Sequence, residues 1–152
     1  ITVKSRDRIL DLISDSIKSG AKLEYGGKIP ESFSDGNWLE PTVITNVNQD
    51  MRIFNEEIFG PVASIIKFSS DDEVLKLANS TDYGLASYIF TNDKQRIDFF
   101  SENLNFGEVQ VNGIKYAIYL PHGGIKESGI GHDCSHLALY DYLTKKRISV
   151  AL

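Results

Sequence analysis

Between Ser5 and Gly20 the isoleucines fall four residues apart, at Ile9, Ile13 and Ile17, with Leu10 and Leu12 beside them. That period puts the apolar groups on one helical face. Ser5 is the expected N-cap and Gly20 the expected stop. The pattern then changes. "KLEY", closed by Gly26-Gly27, and "TVITNV", from Thr42, read as short strands on either side of a turn-rich loop. "VASIIKF" is β-branched and bounded by Pro61 and Ser69-Ser70, which predicts a buried strand. Ser70-x-x-Glu73 is a capping box ahead of a helix in "EVLKLANS".

"SYIFT" reads as a strand, and Asn92-x-x-Gln95 as a second cap. Ile97, Phe100 and Leu104 give the following helix its face, and Gly107 ends it. "EVQVN" returns to strand, "PHGGIKESGIG" is a glycine loop, "SHLALYDYL" a short helix and "KRISVAL" a terminal strand. Strands alternating with helices predict an α/β fold with a largely parallel sheet and flanking helices. No repeat, low-complexity run or linker divides the chain.

The 152 residues suffice for one ordinary core. With 41% hydrophobic and 24% charged residues the composition is that of a globular chain. A net charge of -5 leaves no electrostatic footprint for nucleic acid or an anionic membrane. No apolar run approaches the roughly 20 residues that span a bilayer, and no basic start with an apolar centre marks a leader. The lone Cys134 forms no internal disulfide, so a reducing, cytoplasmic setting is expected. The chain opens at Ile1 and enters a helix almost at once, which predicts a piece cut from a longer polypeptide.

Several stretches carry candidate chemistry. Gly124 to Gly129 has the first spacing of a phosphate-binding loop, but Ile130-Gly131 stands where Lys-Ser/Thr is needed. Gly129-Ile-Gly131 begins a dinucleotide fingerprint, but Cys134 holds the third glycine position. A tight loop with positive φ is the better account. His132, Cys134 and His136 alternate like metal ligands, yet no second cluster completes a site. Cys134, flanked by histidines near an expected helix start, has features that favour thiolate, against the plainer reading of a half-buried small residue.

The acids Glu56-Glu57 stand before Ile-Phe-Gly-Pro and the apolar run. A solvated turn is one reading. The other is a ligand contact. A carboxylate accepts two hydrogen bonds from neighbouring hydroxyls, such as those of a ribose, and Phe59 beside it offers a face to a flat heterocycle.

"EEIFGPV", "LANSTDYGLASYIFTND", "FGEVQVN" and "PHGGIKESGIG", in this order and spacing, resemble the C-terminal third of the NAD(P)-dependent aldehyde dehydrogenases. "RDRILDLISDSIKSGAKLEYGG" and "NWLEPTVITNV" look like the same family's approach to those motifs. The resemblance implies that Glu57 holds the nicotinamide ribose of NAD or NADP and that Phe59 lies against the nicotinamide side. It implies oxidation of an aldehyde to its acid: a cysteine attacks, hydride passes to the cofactor, and a glutamate activates the water that releases product. Both of those residues precede this chain in the family, so the isolated chain is expected to be inactive. Most members carry Phe where His122 stands; His resembles the lactaldehyde and glyceraldehyde type. That suggests a small polar aldehyde such as lactaldehyde, glyceraldehyde or succinic semialdehyde, with His122 bonding its polar group. An aromatic-for-aromatic exchange remains the equal alternative. Residues 1–131 then belong to the catalytic domain, and 132–152 form a terminal helix and strand, an arm joining a homo-oligomer (dimer or tetramer) and the rest of its own chain. The rival reading is a non-catalytic α/β oligomerisation module.

Overall fold

The computed structural model describes residues 2–33 and 35–151. They fall into two compact units, Ile1–Ser69 and Ser70–Leu152. The boundary sits at the serine pair that separates a strand from a helix. With neither Gly nor Pro at that pair, and with the acids that follow it already in the first turn of a helix, nothing local sets it apart as a linker.

In the first unit, helix α1 (Val3–Lys18) starts two residues ahead of the expected Ser5 cap. Thr2 is the N-cap, and its Oγ1 accepts from the Ser5 N–H at 3.1 Å. Ile9, Leu12, Ile13 and Ser16 form the buried face, and Ile17 is left exposed. The face thus follows a three-four alternation that matches 3.6 residues per turn, from which a strict four-residue repeat drifts away. The Ser16 hydroxyl donates to the Leu12 carbonyl, so its burial leaves no orphaned group.

Strand β1 (Lys22–Tyr25) pairs antiparallel with β2 (Thr42–Thr45). Buried Thr42 ties the intervening loop: its Oγ1 accepts from the Gly27 N–H and donates to the Glu40 carbonyl, each at 2.8 Å. A one-turn helix α2 (Arg52–Asn55) precedes β3 (Val62–Ser64), which pairs parallel with β2. The ladder covers only the start of "VASIIKF", and most of that run is exposed rather than buried. Ile9, Ile13, Ala21, Ile44, Val47, Met51 and Ile53 make the core of this unit.

The second unit begins with α3 (Asp71–Asn79), capped by Ser70 as expected: its side chain accepts from the Glu73 N–H. Strands β4 (Tyr83–Gly84) and β5 (Ala86–Ile89) follow, then α4 (Lys94–Asn103), β6 (Glu108–Val111), β7 (Ile125–Lys126) and α5 (Ala138–Asp141). Asp93, not Asn92, caps α4, its carboxylate accepting from the Gln95 and Arg96 N–H groups. β5 and β6 run parallel and β4 and β7 antiparallel. The fold is α/β, with parallel and antiparallel pairings in both units.

The terminal strand is not formed. Residues 144–150 carry no strand pairing and are exposed. "KRISVAL" has the composition of a strand, but a strand needs a ladder partner, and this chain offers it none among the described residues. Also among the described residues, no helix is long and apolar enough to cross a membrane.

Candidate functional site

The acid pair divides. Glu56 closes α2 and is held by Arg52, whose Nε donates to its Oε1 at 2.8 Å while Nη1 reaches Asp11 Oδ2 at 3.1 Å. The Glu56 bond, and then the Asp11 bond, raise the Arg52 pKa further above its already high value. Glu57, one residue on, is exposed, and its carboxylate makes no hydrogen bond or ion pair among the described residues. Side by side in sequence, one acid staples a helix and the other is left for solvent or a ligand.

The backbone after Glu57 is unusual. Phe59 has φ of 51°, in the left-handed region that a bulky side chain rarely enters, and its ring is 69% exposed. Gly60 follows with Ile9 Cδ1 packed where a Cβ would go, so helix α1 lies directly against the turn. Arg8, one residue before Ile9, reaches the same turn. Its guanidinium donates to the Ile58 carbonyl at 2.6 Å and to the Glu57 carbonyl at 3.3 Å. Phe59, Gly60 and Pro61 share with Arg8, Ile9 and Leu39 the lining of an open cavity of about 500 Å³. Strain at a non-glycine residue, fixed by contacts on both sides, is a pattern that concentrates at ligand sites.

His122 lies in the second unit, half-buried, and is held by Asp133 three times over. Its N–H donates to the Asp133 carbonyl at 2.9 Å, its carbonyl accepts from the Asp133 N–H at 2.8 Å, and its Nδ1 meets Asp133 Oδ1 at 2.7 Å. The other ring nitrogen faces Glu108 Oε1 at 3.5 Å. A cavity of about 770 Å³ opens beside this cluster, with Gln110, Lys115 and Tyr116 also on its wall.

The glycine motifs turn out to bind each other. The Gly123 carbonyl presses on Gly107 where a Cβ would stand, which brings the His-Gly-Gly segment onto the start of β6 and so next to Glu108. The Gly84 N–H donates to Ser128 Oγ at 3.0 Å, and the Glu127 N–H donates to the Asp82 carbonyl at 2.9 Å. Lys126 Nζ reaches the Asn79 and Thr81 carbonyls. Thus "STDYG" and "GGIKESG" are two sides of one β bridge, and Gly129 takes a φ of +120° in the turn that follows.

Cys134 is exposed, with φ of 59°. The helix start expected beside it is absent, because α5 begins only at Ala138 and spans four residues, so no helix terminus bears on the thiol. Among the described residues no group of three or more His, Cys, Asp or Glu side chains is placed to hold a metal ion. Glu57 and Phe59 are brought together on one turn; His122 stands in the other unit. Arg8, Asp133 and Glu108 were not singled out by the sequence. Their partners are 49, 11 and 14 residues away by number, and no periodic pattern records such contacts.

The fold is one shared with dehydrogenases of known structure. Betaine aldehyde dehydrogenase from Staphylococcus aureus, solved in complex with NAD+, superposes with a TM-score of 0.88 at 37% identity, over 95% of this chain and 29% of that one. Residues 1–148 match the aldehyde dehydrogenase family, and the chain belongs to that family. It is 40% identical over 144 residues to the chloroplastic betaine aldehyde dehydrogenase of Beta vulgaris, covering 94% of this chain and 29% of that protein. It is 42% identical over 142 residues to the 3-sulfolactaldehyde dehydrogenase of Pseudomonas putida, covering 93% of this chain and 29% of that protein. The chain therefore spans less than a third of the length of these relatives.

Proposed function

We propose that this chain forms one wall of the cofactor and substrate site of an NAD(P)-dependent aldehyde dehydrogenase, as the C-terminal part of the complete enzyme. The observation that carries this is the division of Glu56 from Glu57. The first acid is spent on Arg52, while the second presents a free carboxylate beside an exposed, left-handed Phe59. That arrangement fits the nicotinamide end of NAD or NADP. The carboxylate can accept from both ribose hydroxyls, and the Phe59 ring can cover one side of the heterocycle. When bound, the cofactor supplies the hydride acceptor. The part played by this chain is to hold the acceptor's orientation and shield it from water.

The nucleophilic cysteine and the general-base glutamate belong to the part of the enzyme that precedes these residues. The substrate is a small polar aldehyde, of the class of lactaldehyde, glyceraldehyde or succinic semialdehyde, with His122 at its polar end. The P. putida relative, named for 3-sulfolactaldehyde, supports that class. The unpaired terminal residues 144–150 support a role for 132–152 as an arm that adds a strand to another copy, in a dimer or tetramer. An exposed, single cysteine is consistent with a cytoplasmic setting.

The test has two arms. Aldehyde-dependent NAD(P)H formation is expected from the complete enzyme and not from the isolated chain, since covalent catalysis needs the absent thiol and base. Turnover by the isolated chain that vanishes in Cys134→Ala would make Cys134 the nucleophile. In the complete enzyme, Glu57→Gln should slow single-turnover hydride transfer on the order of a hundredfold, with cofactor affinity little changed. An unchanged hydride step returns Glu57 to a solvated turn.

A further inference from the structure

The Glu57–Phe59 turn has no secondary structure of its own to hold it. Residues Glu56 to Phe59 lie between α2 and β3 in neither helix nor strand, and Phe59 sits at a φ that its side chain disfavours. Such a conformation persists only where surrounding contacts over-determine it. Two neighbouring residues of α1 provide those contacts. Ile9 packs its Cδ1 against Gly60, and Arg8 spans two successive carbonyls, those of Glu57 and Ile58.

The Arg8 contact is specific in kind. A guanidinium is planar and holds several donors in a fixed fork, so two bonds to successive carbonyls fix the orientation of two successive peptide planes. Here those are the Glu57–Ile58 and Ile58–Phe59 peptides. The first leaves the Glu57 Cα and the second enters the Phe59 Cα, so both side chains depend on the clamp. Among the described residues no acid pairs with Arg8, whose partners are the two carbonyls, whereas neighbouring Arg6 is paired with Asp7. The charge is thus committed to backbone positioning, on a helix whose Ile9, Leu12 and Ile13 are core residues.

We infer that Arg8 is a positioning residue for hydride transfer, acting through the Glu57 carboxylate and the Phe59 ring by clamping the carbonyls of Glu57 and Ile58. This rests on the proposed role of Glu57. Without the clamp the turn relaxes toward a commoner backbone, and carboxylate and ring shift together. A lysine in its place keeps the charge but presents donors from a single nitrogen, so it can restore one carbonyl contact well and the pair poorly.

The experiment uses the complete enzyme with saturating cofactor and measures the single-turnover hydride step, the cofactor Kd and the Tm for Arg8→Ala, Arg8→Lys, Glu57→Gln and the Arg8→Ala/Glu57→Gln double variant. The expected result is a hydride step slowed roughly ten- to a hundredfold in Arg8→Ala, with Arg8→Lys between it and the parent. The double variant should be little slower than Glu57→Gln alone, because residues acting through one another are not additive. A Tm loss in Arg8→Ala with a normal hydride step overturns the inference and leaves Arg8 a structural tie. Full additivity overturns it as well. Should Arg8→Ala fail to fold, Arg8→Lys decides: a parental hydride step there, with Glu57→Gln slow, rejects the clamp. If Glu57→Gln itself is unaffected, the role of Glu57 fails first and that of Arg8 with it.

Discussion

His122 shows most clearly how a residue's meaning changes once its neighbours are visible. Both ring nitrogens face carboxylates, Asp133 at 2.7 Å and Glu108 at 3.5 Å. The shorter contact fixes the ring's orientation. The longer one exceeds an ordinary hydrogen bond, so that nitrogen is the one with capacity for a substrate hydroxyl. In the complete enzyme His122→Phe should lower kcat/KM for lactaldehyde or glyceraldehyde by about ten- to a hundredfold, the penalty for leaving a polar group unpaired in a closed site. Propanal should be spared or improved. Equal changes for both substrate types, in a side-by-side kcat/KM comparison, would reduce His122 to a shaper of its loop. The identity of this residue was legible in the sequence; its partners were not, since Asp133 and Glu108 reach it through a backbone bridge and a neighbouring strand.

At the scale of elements, the sequence spoke clearly where a segment was long and periodic. The body of α1, the β1, β2, β5 and β6 strands and the Ser70 cap lie where the pattern and capping chemistry put them, although Thr2 and not the expected Ser5 caps α1. It spoke poorly where an element is one turn or two residues long. Helix α2 has four residues, and β4 and β7 have two each, too few to show any period. The cap of α4 moved by one residue because Asp93 and Asn92 are both competent and only the backbone path chooses. The glycines read as loop punctuation are better described as contact points. Gly107→Ala would drive a methyl group into the Gly123 carbonyl, a backbone atom that cannot rotate away. The expected cost is about 1–3 kcal/mol, the range of an overpacked site, visible as a lower urea midpoint. Gly113→Ala is the comparison, since nothing stands within 4 Å of its added carbon. Its φ of +156° still imposes a backbone penalty, so the steric part is the excess of the Gly107 loss over that of Gly113. Equal losses would show that the Gly107 contact yields.

Over the whole chain, buried apolar residues are unevenly shared. Among the described residues every buried hydrophobic side chain, from Ile9 to Ile53, belongs to the first unit. The second keeps large side chains such as Phe90, Tyr116, Ile118 and Ile130 exposed. Burial is what holds amides closed against exchange, and its absence predicts low local stability. In hydrogen exchange on the 152-residue chain, the amides of α1 and β2 should be the slowest, and those of β5 and β6 should exchange well before them. Uniform protection across both units would contradict this. The uneven burial agrees with a chain that covers less than a third of its relatives' length, and it could not be read from composition, because each unit alone looks adequately apolar in sequence.

The junction at Ser69-Ser70 has a practical use. Strands β1, β2 and β3 all precede it, strands β4 to β7 all follow it, and each ladder pairs strands from one side only. A break in the polypeptide between these serines therefore severs no ladder among the described residues. The Ser70 hydroxyl that caps α3 stays with its helix, and the new amino terminus falls where the positive end of the helix dipole disfavours it only mildly, one residue outside the first turn. In the proposed complete enzyme this peptide bond is thus the place to divide the gene for a two-piece reporter, in which separately expressed halves are expected to regain activity only when fused partners bring them together.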